Sequence, residues 1–69
     1  MAQYRVITML QKTFEAQREK ALMTLELLTE SPAGIGDHST SDFYTNAEEP
    51  ARALAEAEDV LETLKRHYE

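Results

Sequence analysis

The chain has 69 residues, a formal net charge of −6, no cysteine and no tryptophan. A chain of this length forms at most one domain and buries only about 60% of the surface that its unfolded form exposes, so a monomer should be marginally stable. The missing cysteine excludes disulfides and cysteine-ligated metal sites, which leaves well-packed helices or self-association as the stabilising device.

The excess of 13 acidic over seven basic side chains argues against direct binding to nucleic acid or to an anionic membrane. The first twelve residues, MAQYRVITMLQK, lack the pattern of a signal peptide. No apolar run approaches the length of about 18 residues that a membrane span needs. We therefore expect a cytoplasmic protein that contacts neither nucleic acid nor membrane.

The first predicted element is a helix over residues 3–30. No glycine or proline occurs between Tyr4 and Leu28, and apolar residues recur there at spacings of three, four or seven. This predicted stripe consists of Ile7, Leu10, Phe14, Ala21, Leu25 and Leu28. Gln17 and Arg18 interrupt it, and Pro32 favours a helix end near Glu30.

A connection is predicted over residues 31–45, and it holds the candidate ligand site. Backbone N–H groups and hydroxyls of such a loop can surround an anion, for example a nucleotide held between subunits. The residues of this candidate site are Gly34, Gly36, Asp37, His38, Ser39, Thr40 and Ser41. The alternative is an ordinary turn followed by a helix cap, which the capping-box spacing of Ser39 and Asp42 favours.

Metal binding is not expected in this loop. Asp37, His38 and Asp42 form a poor ligand set for a divalent ion. His67 lies beside Arg66 at a predicted helix end, where a favourable interaction with the helix dipole is the ordinary explanation. We therefore expect neither a metal nor a cofactor.

The second predicted helix covers residues 47–68. Its apolar residues alternate spacings of three and four, as in a heptad repeat: Ala47, Pro50, Leu54, Ala57, Leu61, Leu64 and Tyr68. Because proline is tolerated in the first turn of a helix, we expect the main helix to begin near Glu49 or Pro50. Residues 41–46 would then form a separate short turn or helix, with Phe43 and Tyr44 folding back onto the hairpin.

Two helices joined in this way predict one all-α domain over residues 1–69, an antiparallel two-helix hairpin. A lone hairpin cannot cover both its stripes and the apolar residues outside them, which are Val6, Met9, Leu22, Leu27 and Val60. We therefore expect a homo-oligomer, with a four-helix dimer as the simplest form. The predicted oligomer core comprises Ile7, Leu10, Phe14, Ala21, Leu25, Leu28, Leu54, Ala57, Leu61, Leu64 and Tyr68.

The residues that usually carry catalysis are scarce. There is no cysteine nucleophile, the two histidines are far apart, and no serine has a Gly-x-Ser-x-Gly context. We therefore expect a protein that is not an enzyme.

The charge is concentrated in the second half of the chain. Residues 1–30 sum to zero, whereas residues 31–69 carry nine acidic and three basic side chains. The candidate partner-binding residues are Glu48, Glu49, Glu56, Asp59 and Glu62. Such a row can imitate phosphates and bind a basic protein surface, or it can simply keep a small bundle soluble.

Residues 34–39, an apolar helix end before them, and the Ala/Glu-rich residues 55–64 after them resemble small uncharacterised helical-hairpin proteins of large tailed bacteriophages. The resemblance covers residues 22–68. It implies an accessory protein made in the cytoplasm of an infected bacterium, of a group to which it attaches no activity and no binding residues. The leading hypothesis is a non-enzymatic homo-oligomer that binds a host protein. The alternatives are a small-ligand binder and a structural assembly component.

Overall fold

The computed structural model contains two α-helices, α1 over Arg5–Glu30 and α2 over Thr40–Tyr68. It describes residues 4–30 and 40–69, and for residues 40–42 it describes the backbone only. No strand occurs in these ranges. Gln11 contacts Glu69, whereas Gln17, later in α1, contacts Ala53, earlier in α2. The two helices therefore run antiparallel, and the predicted all-α hairpin is confirmed for the described residues.

Helix α1 follows the prediction closely because its sequence contains no helix breaker. Three of its threonines, which have only moderate helix propensity, donate their hydroxyls to carbonyls within the helix. Thr13 Oγ1 donates to the Met9 carbonyl at 2.9 Å, and Thr29 Oγ1 donates to the Leu25 carbonyl at 2.8 Å. The hydroxyl donors of these residues therefore need no partner outside the helix.

Helix α2 begins at Thr40, so the predicted start near Glu49 or Pro50 is wrong. Pro50 lies inside the helix, where it cannot donate an N–H to the carbonyl of Asn46. Residues 40–49 contain neither glycine nor proline, so nothing before Pro50 stops the helix. Phe43 and Ala47 are half-buried and continue the spacing of the apolar stripe, which offsets the lost hydrogen bond.

The aromatic pair at the start of α2 is divided between the core side and the surface. Phe43 is half-buried, and its ring packs edge-on against Tyr44 at a centroid distance of 6.1 Å. Tyr44 itself is 58% exposed. The predicted fold-back of both rings onto the hairpin is therefore wrong for Tyr44, because adjacent helical residues point about 100° apart.

The core between the two helices is small. Among the described residues the buried apolar side chains are Ala21, Leu28, Ala57 and Leu64. Ala57 has no exposed surface, which is typical of a small residue where two helices approach closely. The other predicted core residues are half-buried: Ile7, Leu10, Phe14, Leu25, Leu54 and Leu61. Tyr68 is 53% exposed and lies outside the two-helix core, so its place in an oligomer core stays a prediction.

Candidate functional site

The hairpin leaves more large apolar side chains on its surface than it buries. Within the described residues, those exposed by more than 40% are Tyr4, Val6, Met9, Leu22, Met23, Leu27, Tyr44 and Tyr68. Val6, Met9, Met23 and Leu27 all belong to α1 and are 52–68% exposed. This apolar surface of α1 is the candidate interaction site.

These four residues belong to a regular pattern. Together with three further residues of α1 they form a row whose spacings alternate strictly between three and four. We call this row the outer stripe. It consists of Val6, Met9, Thr13, Ala16, Lys20, Met23 and Leu27. All seven side chains are exposed in the single chain. Such spacing places them along one side of α1, as in a helix that packs against another helix.

The polar members of the outer stripe are compatible with burial. The Thr13 hydroxyl already donates to the Met9 carbonyl, so covering it leaves no donor unsatisfied. Lys20 carries the one charge of the stripe. Its aliphatic stem can cover apolar surface while its ammonium group reaches solvent.

The outer stripe borders a groove between the helices. The groove has a volume of about 620 Å³ and is lined by Gln17, Lys20, Ala21, Thr24, Leu27, Leu28, Asn46, Glu49, Pro50 and Ala53. Lys20 and Leu27 of the outer stripe thus lie next to the buried residues Ala21 and Leu28. The side chains of a partner helix on the stripe would therefore have room to enter the groove.

Gln17 is a structural residue that the sequence pattern marked only as an interruption. Its Nε2 donates to the Ala53 carbonyl at 2.9 Å and to Glu56 Oε1 at 2.8 Å. Gln17 is half-buried and follows Leu10 and Phe14 at helical spacing. That spacing indicates that Gln17 faces α2. A glutamine amide in that position needs hydrogen-bond partners on the other helix.

The candidate acidic residues all lie on α2 and are exposed, but they do not form one row. Glu49 lines the groove, and Glu56 accepts the hydrogen bond from Gln17. Glu48 pairs with Arg52 at 3.6 Å. Asp59 and Glu62 point outward, away from the groove, by helical geometry. Their role in binding a partner stays a prediction.

Most of the candidate loop site lies outside the described residues. These members are Gly34, Gly36, Asp37, His38 and Ser39. Thr40 and Ser41 fall in the first turn of α2. In the described parts of the chain, no three His, Asp or Glu residues are placed to hold a metal ion. Neither α1 nor α2 has the length and apolarity that would let it cross a bilayer.

No protein-family model, curated protein or solved structure matches the chain. The resemblance to bacteriophage hairpin proteins therefore stays a prediction.

Proposed function

We propose that this chain is a non-enzymatic interaction protein that works as a self-associated helical hairpin. The observation that carries the proposal is the outer stripe, whose apolar members Val6, Met9, Met23 and Leu27 are exposed in the single chain. Exposed contiguous apolar side chains mark interaction surfaces in soluble proteins. A 69-residue chain with a small core also gains most from a partner that covers them.

The position of the outer stripe around α1 supports a bundle. All of its members except Met23 precede by one residue a buried or half-buried residue that faces α2, for example Leu27 before Leu28 and Lys20 before Ala21. One residue corresponds to a rotation of about 100° around the helix axis. Helix α1 therefore offers two packing faces roughly at right angles, as a helix at the corner of a four-helix bundle does.

A matched pair of substitutions tests the site of self-association. Leu27→Glu places a charge in the outer stripe, whereas Leu22→Glu places the same charge on the same helix outside it. Both leucines are exposed, by 55% and 42%, so neither change should unfold the hairpin. We expect L27E to sediment as a monomer and L22E to associate like the wild type, with equal helical circular dichroism.

Association that L22E abolishes and L27E leaves intact would contradict this site. Loss of association in both variants, with helicity retained, would show that added charge and not its position is responsible.

The oligomer is further proposed to bind a macromolecule with a basic surface through the outward carboxylates of α2. Glu48 and Glu56 already interact with Arg52 and Gln17, so Asp59 and Glu62 are the better candidates. We expect D59K/E62K to lose protein partners that the wild type captures from a bacterial lysate, while association is unchanged. Recovery of the same partners by this variant would place the binding surface elsewhere.

A further inference from the structure

Charged residues beside the outer stripe are sorted by sign along α1. The residues that directly precede every second member of the stripe form a row at heptad spacing, here called the charge row: Arg5, Lys12, Glu19 and Glu26. All four are exposed. The first two are basic and the last two acidic, so the row is complementary to a second copy of itself only when that copy runs in the opposite direction.

We propose that the partner on the outer stripe is a second copy of this chain, with its α1 antiparallel to the first, and that the charge row sets this orientation. The proposal rests on the proposed self-association and names its geometry. In antiparallel heptad pairs, residues that precede the stripe in one helix face the equivalent residues of the other. Arg5 then faces the partner's Glu26, and Lys12 faces the partner's Glu19.

Two-fold symmetry repeats both pairs, so each dimer gains four oppositely charged contacts. Glu19 lies 3.6 Å from Arg18 in the single chain. Because that pair is exposed, it is weak and can be shared with the incoming lysine. The charge row therefore contributes to orientation more than to affinity.

The same register suits the residues of the outer stripe. It places Thr13 level with the partner's Ala16 at the centre, and these small side chains allow the helices to approach closely. Towards the ends it places Val6 level with the partner's Met23, which buries apolar surface against apolar surface. Lys20 falls beside the partner's Met9, with its ammonium group free to reach solvent.

A parallel pair lacks these advantages. It brings the two Lys20 side chains to the same level of the interface, where like charges repel. The charge row would face the residues that follow Met9, Ala16 and Met23, which are Leu10, Gln17 and Thr24 and carry no charge. The charge row would then have no effect on orientation.

Charge reversal tests the proposal. The variants R5E/K12E and E19K/E26K each turn the four attractions into repulsions, so we expect a dimer Kd at least tenfold above that of the wild type. An equimolar mixture of the two should form a heterodimer. The fourfold swap R5E/K12E/E19K/E26K keeps the net charge of −6 and should restore the homodimer.

The control R52E/R66E changes the net charge as R5E/K12E does, but on α2. It should leave the dimer Kd within about threefold of the wild type. A larger loss in this control would place the second copy against α2 and overturn the antiparallel α1 pairing.

A spin-label distance gives an independent readout, and the chain has no native cysteine to interfere. With a rise of 1.5 Å per residue, labels at Glu30→Cys in the two copies should lie about 45–50 Å apart in the antiparallel dimer. In a parallel dimer they would lie within about 25 Å. Labels at Glu15→Cys, near the centre, should be within about 25 Å in either case.

The outcomes separate the two proposals. A wild type that stays monomeric overturns both self-association and its geometry. A wild-type dimer in which the two Glu30→Cys labels lie within about 25 Å overturns the antiparallel pairing and leaves self-association standing. A fourfold variant that fails to recover the homodimer has the same meaning.

Discussion

Gln17 of α1 and Glu56 of α2 are joined by a hydrogen bond of 2.8 Å between Nε2 and Oε1, and the same Nε2 donates to the Ala53 carbonyl. This amide is the polar link at the middle of a hairpin whose other interhelical contacts are mainly apolar. It fixes how α1 and α2 are aligned along their axes, because a shift of one turn would separate the partners.

Removing this link should destabilise the hairpin measurably. We expect Gln17→Ala to lower the free energy of unfolding by about 1 kcal/mol, because a net hydrogen bond is worth about 0.5–1.5 kcal/mol. Urea denaturation of Q17A, E56A and the double variant should give a coupling energy of about 0.5 kcal/mol. Strictly additive effects would show that the two side chains do not meet in solution.

The close approach of the helices at Ala57 predicts intolerance of larger side chains. Ala57 has no exposed surface, so Ala57→Leu should lower the free energy of unfolding by about 1–3 kcal/mol through overpacking. Ala55 is exposed on the same helix, and Ala55→Leu should change stability by less than about 0.5 kcal/mol. Equal effects of the two substitutions in thermal denaturation would contradict the described packing.

Pro50 provides a test of where α2 begins. Because residues 40–49 are helical, Pro50→Ala supplies the N–H that the Asn46 carbonyl lacks and should raise the free energy of unfolding by about 1–2 kcal/mol. The gain falls short of the full helix penalty of proline because the half-buried ring also packs. A melting temperature that P50A leaves unchanged would indicate a helix that starts at Pro50.

Lys20 is the one charged member of the outer stripe, so its replacement should strengthen self-association. We expect Lys20→Met to lower the dimer Kd at least fivefold, which corresponds to about 1 kcal/mol of added apolar burial. The control Lys65→Met changes the charge equally on an exposed site of α2 and should have no such effect. A K20M variant that associates no better than K65M would place Lys20 outside the interface.

The hairpin itself follows from elementary sequence patterns, but one boundary does not. The end of α1 at Glu30 agrees with the disfavoured helical geometry before Pro32. The sequence predicts the start of α2 too late, because proline is over-represented in the first turn of a helix. This preference of proline depends only on the neighbouring residues. The packing of Phe43 and Ala47, which outweighs it, depends on where α1 lies.

The interaction surface was predictable only in part. The apolar character of Val6, Met9 and Leu27 outside the core is visible in the sequence, whereas their exposure depends on which side of α1 meets α2. The sequence predicts the face of α1 that meets α2 but not that Gln17 belongs to it, because a polar residue in an apolar stripe reads as an interruption until its partners are known. The sequence pattern also leaves the partner of the outer stripe open, since the same spacing suits any helix.

Sedimentation of the unmodified chain over a range of concentrations is the most informative experiment, because self-association is the premise of the other proposals. We expect a concentration-dependent mass that rises to about twice the 7.9 kDa of one chain. A mass that stays at 7.9 kDa up to millimolar concentration, with the helical content intact, would contradict it.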